Sequence, residues 1–154
     1  MRTGTVPLGD ADETEKLGTT LADVLRAGDV VALSGTLGAG KTTFARGVLT
    51  GLGLEEEAPS PSFSLVIGYA PPEVRLPLWH VDLYRIEDIE ELDELGLADA
   101  RADTALLIEW PERMGAQLWD DALRLSLEHE PTGGRRLTWA APAAWEGRWP
   151  LPRS

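Results

Sequence analysis

Apolar residues along this chain fall alternately into short strand-like runs and into stripes at helical spacing, the order of an α/β fold. Thr5 to Leu8 reads as a short strand. Asp12 then starts a helix: Glu15 completes a capping box, and Leu17, Leu21, Val24 and Leu25 form one apolar stripe that Gly28 ends. Val30 to Leu33, β-branched and too short for a helix, reads as a central parallel strand. A second helical pattern runs from Thr43 to about Leu52, with Phe44, Val48 and Leu52 on one face and Gly51 and Gly53 as its stop. After a loop from Glu55 to Pro61 come a strand from Phe63 to Tyr69, a connection holding two prolines, and a strand from Val74 to Val81 that ends at Asp82. Thr104 to Ile108 is another apolar strand, ending at Glu109. Ala122 to Leu127 and Arg136 to Ala140 read as two strands around a turn, Pro131 to Gly134. The pattern predicts one domain over residues 1–140 and a loosely docked tail, rich in Pro and Trp, over residues 141–154.

Between the Val30 strand and the Thr43 helix stands Gly35-Thr36-Leu37-Gly38-Ala39-Gly40-Lys41-Thr42, a complete match to G-x-x-x-x-G-K-[ST] in the strand-then-helix context that motif needs. Its glycines let backbone N–H groups approach phosphate oxygens where a Cβ would obstruct. The helix that follows offers its unpaired N–H groups and positive end to the same anion. Lys41 is placed to reach the β and γ phosphates and the Thr42 hydroxyl to ligate Mg²⁺, with Thr43 a second hydroxyl at the helix start. The plain alternative is a glycine-rich turn that caps a helix. The chain has twelve arginines but only two lysines, Lys16 and Lys41. A lysine at this position therefore points to a need for a compact ammonium rather than a guanidinium fork. The fold class expected from the motif is a P-loop NTPase-like three-layer sandwich, its central sheet mainly parallel with an antiparallel extension.

Asp82 and Glu109 both stand at the carboxyl ends of apolar strands, where open α/β sheets bind ligands and where P-loop proteins place a second Mg²⁺ carboxylate. Strand-end position fits either holding the metal or orienting water. Ser60-Pro61-Ser62-Phe63-Ser64 has the hydroxyls of a γ-phosphate-sensing loop, though serines also simply form turns. His80 shares a strand face with Asp82, and a lone strand histidine is more often structural than a base. Glu87 to Glu94 carries six acids in eight residues and reads as a solvated helix face, with docking of a basic partner the lesser reading. Trp110-Pro111 follows Glu109; its indole either closes over a nucleotide or packs in the core. Thr14 lies in a first helical turn, free to offer its hydroxyl, and of Arg135 and Arg136 beside the turn one is placed to approach a nucleotide.

Composition narrows the classes. With no cysteines, thiol chemistry and zinc–cysteine sites are excluded, and a reducing cytoplasm is the expected compartment. No stretch nears the 18 or so apolar residues of a membrane span, and Met1 to Leu8 lacks a signal-peptide core, so no membrane role is expected. Net charge is −12, which argues against an independent grip on a nucleic-acid backbone.

Taken in order, Thr14 with Leu17-Gly18, Leu37 to Phe44, Arg46-Gly47, Ser60-Pro61, His80-Val81-Asp82-Leu83-Tyr84-Arg85 and Glu109-Trp110-Pro111-Glu112 resemble the TsaE (YjeE) family of small bacterial P-loop ATPases. The resemblance runs from about Val6 to Ala140 and implies a role in making threonylcarbamoyladenosine in tRNA. It implies ATP and Mg²⁺ as cofactors: Gly38, Ala39, Gly40, Lys41, Thr42 and Thr43 on the nucleotide; Thr42, Asp82 and Glu109 on the metal; and Lys41, Asp82 and Glu109 in catalysis. Thr14 and Arg136 are carried over as groups near the nucleotide. The implied partner is a threonylcarbamoyl-transferring heterodimer of TsaD and TsaB types, through which alone tRNA is met, with ATP hydrolysis resetting that heterodimer. Two departures, Thr36 for an Asp and Ser62 and Ser64 for a Thr, keep the chemistry the site needs. Two other classes fit a P-loop: a small-molecule kinase, for which no Arg-rich lid is evident, and a nucleotide-gated binding module with little turnover.

Overall fold

β1 (Arg2–Leu8) leads into α1 (Ala11–Ala22), β2 (Val30–Gly35) and α2 (Lys41–Gly51). β3 (Val66–Tyr69) and β4 (Leu78–Asp82) come next, then two short helices, α3 (Ile89–Glu94) and α4 (Leu97–Ala100). β5 (Ala105–Glu109), 3₁₀ turns within Pro111–Gln117, β6 (Leu123–His129), β7 (Arg135–Ala141) and a 3₁₀ turn over Ala143–Trp145 complete the order. The structure, a computed structural model, describes residues 1–35, 40–58, 61 and 65–150.

Among the described residues seven strands form one sheet in the order β1-β7-β6-β2-β5-β4-β3. β6, β2, β5 and β4 are parallel neighbours, while β7 and β1 at one edge and β3 at the other are antiparallel. The mainly parallel sheet expected from sequence is present, and its antiparallel extension occupies both edges. β2 lies between β5 and β6, so its apolar run is buried on both faces. Val31 and Leu33 face Leu21, Phe44, Val48 and Leu49 of α1 and α2. Val30, with Leu106 and Ile108, faces Leu92, Leu97 and Met114 on the other side. Helices therefore cover both faces, giving three layers.

α1 and α2 cross with their backbones nearly touching. A Cβ on Gly18 would lie 2.3 Å from the Phe44 carbonyl oxygen, and one on Gly47 would lie 2.2 Å from that of Glu15. Only glycine fits at such separations, and the crossing anchors the body of α2 behind its start at Lys41. Gly47→Val is expected to lower stability by about 1–3 kcal/mol through overpacking. A denaturant titration checks this: the midpoint should fall at an unchanged slope, and an unmoved midpoint would contradict the close crossing.

Four local expectations are corrected. α1 is capped by Asp10, whose carboxylate accepts from the Glu13 N–H at 2.9 Å while the Glu13 carboxylate accepts from the Gly9 N–H. Asp10–Glu13 and Asp12–Glu15 have the same spacing, and the pair nearer the end of β1 prevails. The helix ends at Ala22 rather than Gly28, the chain tightening into i→i−3 bonds through Val24 and Leu25. β4 begins at Leu78 rather than Val74, because Pro77 has no N–H to donate and the Arg75 N–H is spent on the Leu52 carbonyl at 2.7 Å. The chain after Ala141 is not loosely docked over its described part. Trp145 and Trp149 are buried, Arg148 pairs with both Asp29 carboxylate oxygens at 2.7 and 3.0 Å, and Arg2 donates to the Trp149 carbonyl.

Candidate active site

The strand ends place the chemistry. In the parallel pairing of β4 with β5, Asp82 stands directly opposite Glu109, and β2 lies on the other side of β5. Along β4 and β5 side chains alternate, so Leu78, His80 and Asp82 share one face, as do Ala105, Leu107 and Glu109. Leu78, Ala105 and Leu107 belong to the core beneath α1 and α2, so both acids face the α2 side. Asp82 is 8% exposed and Glu109 5%. The Asp82 carboxylate accepts from the Tyr84 N–H at 2.9 Å, which turns the chain sharply out of β4. Glu109 Oε2 lies 2.7 Å from His80 Nε2.

α2 begins at Lys41, directly after Gly40, whose φ of 104° is a conformation that favours glycine. Gly40, at the cap position, has no side chain to cap this helix start, which leaves its first N–H groups for another acceptor. Lys41 is buried, with Nζ 4.1 Å from the centre of the Trp110 ring. That ring also meets Tyr84, centroids 4.9 Å apart. Trp110 is held at φ 58°, uncommon for a bulky residue, immediately after Glu109. The P-loop lysine, the two strand-end acids and the Glu-Trp segment are thus one constellation. Thr42 is exposed and Thr43 half-buried at the same helix end. Gly38 and Ala39, expected to cradle phosphate, lie outside the described residues, as do Ser60, Ser62 and Ser64.

Two expected contributors are placed differently. Thr14 sits beside Gly40, its methyl 3.5 Å from where a Gly40 Cβ would be, but it is fully buried and its hydroxyl donates to the Asp10 carbonyl at 3.2 Å. The expectation of a free hydroxyl is therefore corrected. Of the arginine pair, Arg135 rather than Arg136 faces Gly40: its Nε is 3.1 Å from that same Cβ position, buried and without a hydrogen-bond partner among the described residues. Arg136 points to the opposite face and pairs with Glu128 at 3.5 Å and Glu130 at 3.4 Å. Strand alternation allows only one of two adjacent residues to face the site. Glu112, part of the Glu-Trp-Pro-Glu run, accepts from Ser34 at 3.1 Å instead of joining the acids. The acidic stretch forms α3, capped by Asp88, with only Leu92 of its apolar residues buried and Ile89 47% exposed.

Among the described residues no three His, Cys, Asp or Glu side chains form a metal cage of their own. A hydroxyl, one or two carboxylates and a phosphate are instead the donor set of a nucleotide-bound Mg²⁺, which keeps several waters. The orphaned Arg135 Nε and the uncapped start of α2 likewise fit an anion between them. Among the described residues no helix is long and apolar enough to cross a membrane.

A family model described as threonylcarbamoyl adenosine biosynthesis protein TsaE matches residues 8–137. The tRNA threonylcarbamoyladenosine biosynthesis protein TsaE of Treponema pallidum is 37% identical over 129 residues, covering 83% of this chain and 93% of that protein. Its namesake in Streptomyces coelicolor is 43% identical over 116 residues, 73% of this chain and 77% of the relative. The crystal structure of Bacillus subtilis YdiB superposes with a TM-score of 0.77 at 27% identity, covering 95% of this chain and 90% of that one. The family model spans most of the chain, the relatives it resembles carry the same name and the fold agrees: the chain belongs to the TsaE family.

Proposed function

We propose that this protein is a Mg²⁺-dependent ATPase of the cytoplasm that supports threonylcarbamoyladenosine formation in tRNA. The observation that carries the reading is the meeting of Lys41, at the start of α2, with the Asp82–Glu109 pair through Trp110. Backbone N–H groups at the start of α2, with those of the Gly35 to Gly40 loop, would hold the triphosphate. Lys41 would bridge to the β and γ phosphates, and Arg135 would approach from the Gly40 side. The Thr42 hydroxyl, with Asp82, Glu109 or both, would hold Mg²⁺, which when bound neutralises charge on the phosphate oxygens.

In the reaction a water attacks the γ-phosphorus, the bond to the ADP oxygen breaks, and phosphate leaves with the water's proton lost to solvent. Lys41 stabilises the charge that gathers on the equatorial and leaving oxygens, while whichever acid is not committed to the metal orients the water. Trp110 keeps Lys41 on its ring until phosphate competes for the ammonium. Saturating Mg-nucleotide is therefore expected to change tryptophan fluorescence, and Trp110→Phe to remove most of that change. An undiminished change in the variant would contradict the pairing.

Hydrolysis would serve a partner, the threonylcarbamoyl-transferring heterodimer of TsaD and TsaB types, resetting it between turnovers. The names of the TsaE relatives support the pathway, and the net charge of −12 supports leaving the tRNA to that heterodimer. Phosphate release from Mg-ATP, by the chain alone and with the heterodimer, tests the reading. Stimulation by the heterodimer is expected; rapid hydrolysis indifferent to it would point to another partner or substrate.

A further inference from the structure

His80 is 2% exposed, on the α2-side face of β4. In the strand register His80 lies opposite Leu107, two residues before the level of Glu109, so the Glu109 side chain must bend back along the strand to meet it. The contact is 2.7 Å from Nε2 to Oε2, while Nδ1 is buried with no partner among the described residues. A carboxylate accepts and does not donate, so Nε2 carries the proton. The other neutral tautomer would aim a lone pair at the carboxylate and bury an unsatisfied N–H at Nδ1. One Glu109 oxygen is thus occupied and the side chain's torsions are fixed, leaving Oε1 for the site.

We infer that His80 is a positioning residue: it holds Glu109 by one oxygen so that the other is presented, in a single orientation, to the metal or the attacking water. The inference rests on the proposed role of Glu109. It differs from a plain packing role for His80, which would depend on the ring's bulk rather than on its N–H. Partners of this kind typically set ligand orientation, and their loss costs ten- to a hundredfold in metal affinity or activity.

The chain has only two histidines, His80 and the exposed His129, so proton–nitrogen correlation spectra of the unaltered protein read the tautomer directly. A proton on Nε2 of His80 is expected, and one on Nδ1 alone would overturn the inference. Single-turnover hydrolysis and Mn²⁺ affinity in the ADP complex, the latter by electron paramagnetic resonance, are then compared in His80→Leu, His80→Gln and Glu109→Gln. His80→Leu should lose about tenfold or more in both readouts while ADP affinity without metal stays within about twofold. His80→Gln, whose amide nitrogen takes the place of Nε2, should recover most of the loss. In the Glu109→Gln background His80→Leu should cost little further. Equal losses in His80→Leu and His80→Gln, or a full His80→Leu loss that persists without Glu109, would leave His80 a packing residue. If the unaltered protein hydrolyses no ATP, the ATPase reading fails by itself, and the tautomer and the Mn²⁺ affinities still decide the role of His80.

Discussion

Lys41→Ala is expected to reduce ATP turnover by about 10²–10³-fold, the scale on which loss of one preorganised charge-stabilising donor acts. Lys41 is the first residue of α2, buried, with its ammonium 4.1 Å from the Trp110 ring centre. That contact is worth about 0.5–2 kcal/mol, so the variant should remain folded and melt only modestly earlier. Arg135 stays in place across Gly40, and nucleotide binding should be weakened rather than abolished. Phosphate release and nucleotide titration, run on the same preparation, separate the two effects. Lys41→Arg should not rescue: a guanidinium is longer and planar and does not replace a compact ammonium in a tight phosphate cradle. Turnover near the unaltered level in Lys41→Ala would remove the phosphate-bridging role.

The second large effect is expected at the paired acids. Glu109→Gln and Asp82→Asn keep side-chain volume at two buried positions that stand opposite each other at the ends of β5 and β4. Each should lower turnover by about 10²-fold or more, because the charge opposing the metal is lost while nucleotide contacts at the P-loop remain. ATP affinity should change far less than turnover. The response to Mg²⁺ concentration distinguishes the roles: the acid that holds the metal shifts the Mg²⁺ requirement, whereas the one that orients water lowers the maximum alone. A nucleotide-gated binding module would keep its function in both variants, and that outcome would set the ATPase reading aside.

How far such a site is legible in a sequence depends on whether its chemistry is local. The loop from Gly35 to Thr42 announces itself because phosphate contact needs glycines, a lysine and a hydroxyl at fixed spacing within eight residues. Asp82 and Glu109 are legible because each ends an apolar strand, and open α/β sheets bind their ligands at the carboxyl ends of the strands. What brings them side by side is the β4–β5 register, which no local pattern contains. Spacing alone leaves Arg135 and Arg136 open, and the Arg136 implied by the family resemblance proves to face away from Gly40, for a similar reason. Adjacent strand residues face opposite sides, and parity is set by how β7 pairs with β6 and β1. His80 shares its face with Asp82 in any strand reading, but its bond to Glu109 joins two strands that only the β4–β5 pairing brings together. The docking of the segment after Ala141 is likewise invisible to local pattern. Trp145 and Arg148 find Asp121 and Asp29 in earlier parts of the chain, Trp149 packs edge-on against Trp139 of β7, and aperiodic Pro-rich composition hides such docking. At α1, two overlapping Asp-x-x-Glu pairs competed for one cap, and only the position of β1 decided between them.

The most direct measurement is a crystal structure with a non-hydrolysable ATP analogue and Mn²⁺, the metal located by its anomalous signal. The expected result is one metal peak between the Thr42 hydroxyl and the Asp82–Glu109 pair, with the β and γ phosphates against the start of α2 and Lys41 lifted from Trp110. Nucleotide bound away from α2, or metal remote from both acids, would contradict the assignment of this site.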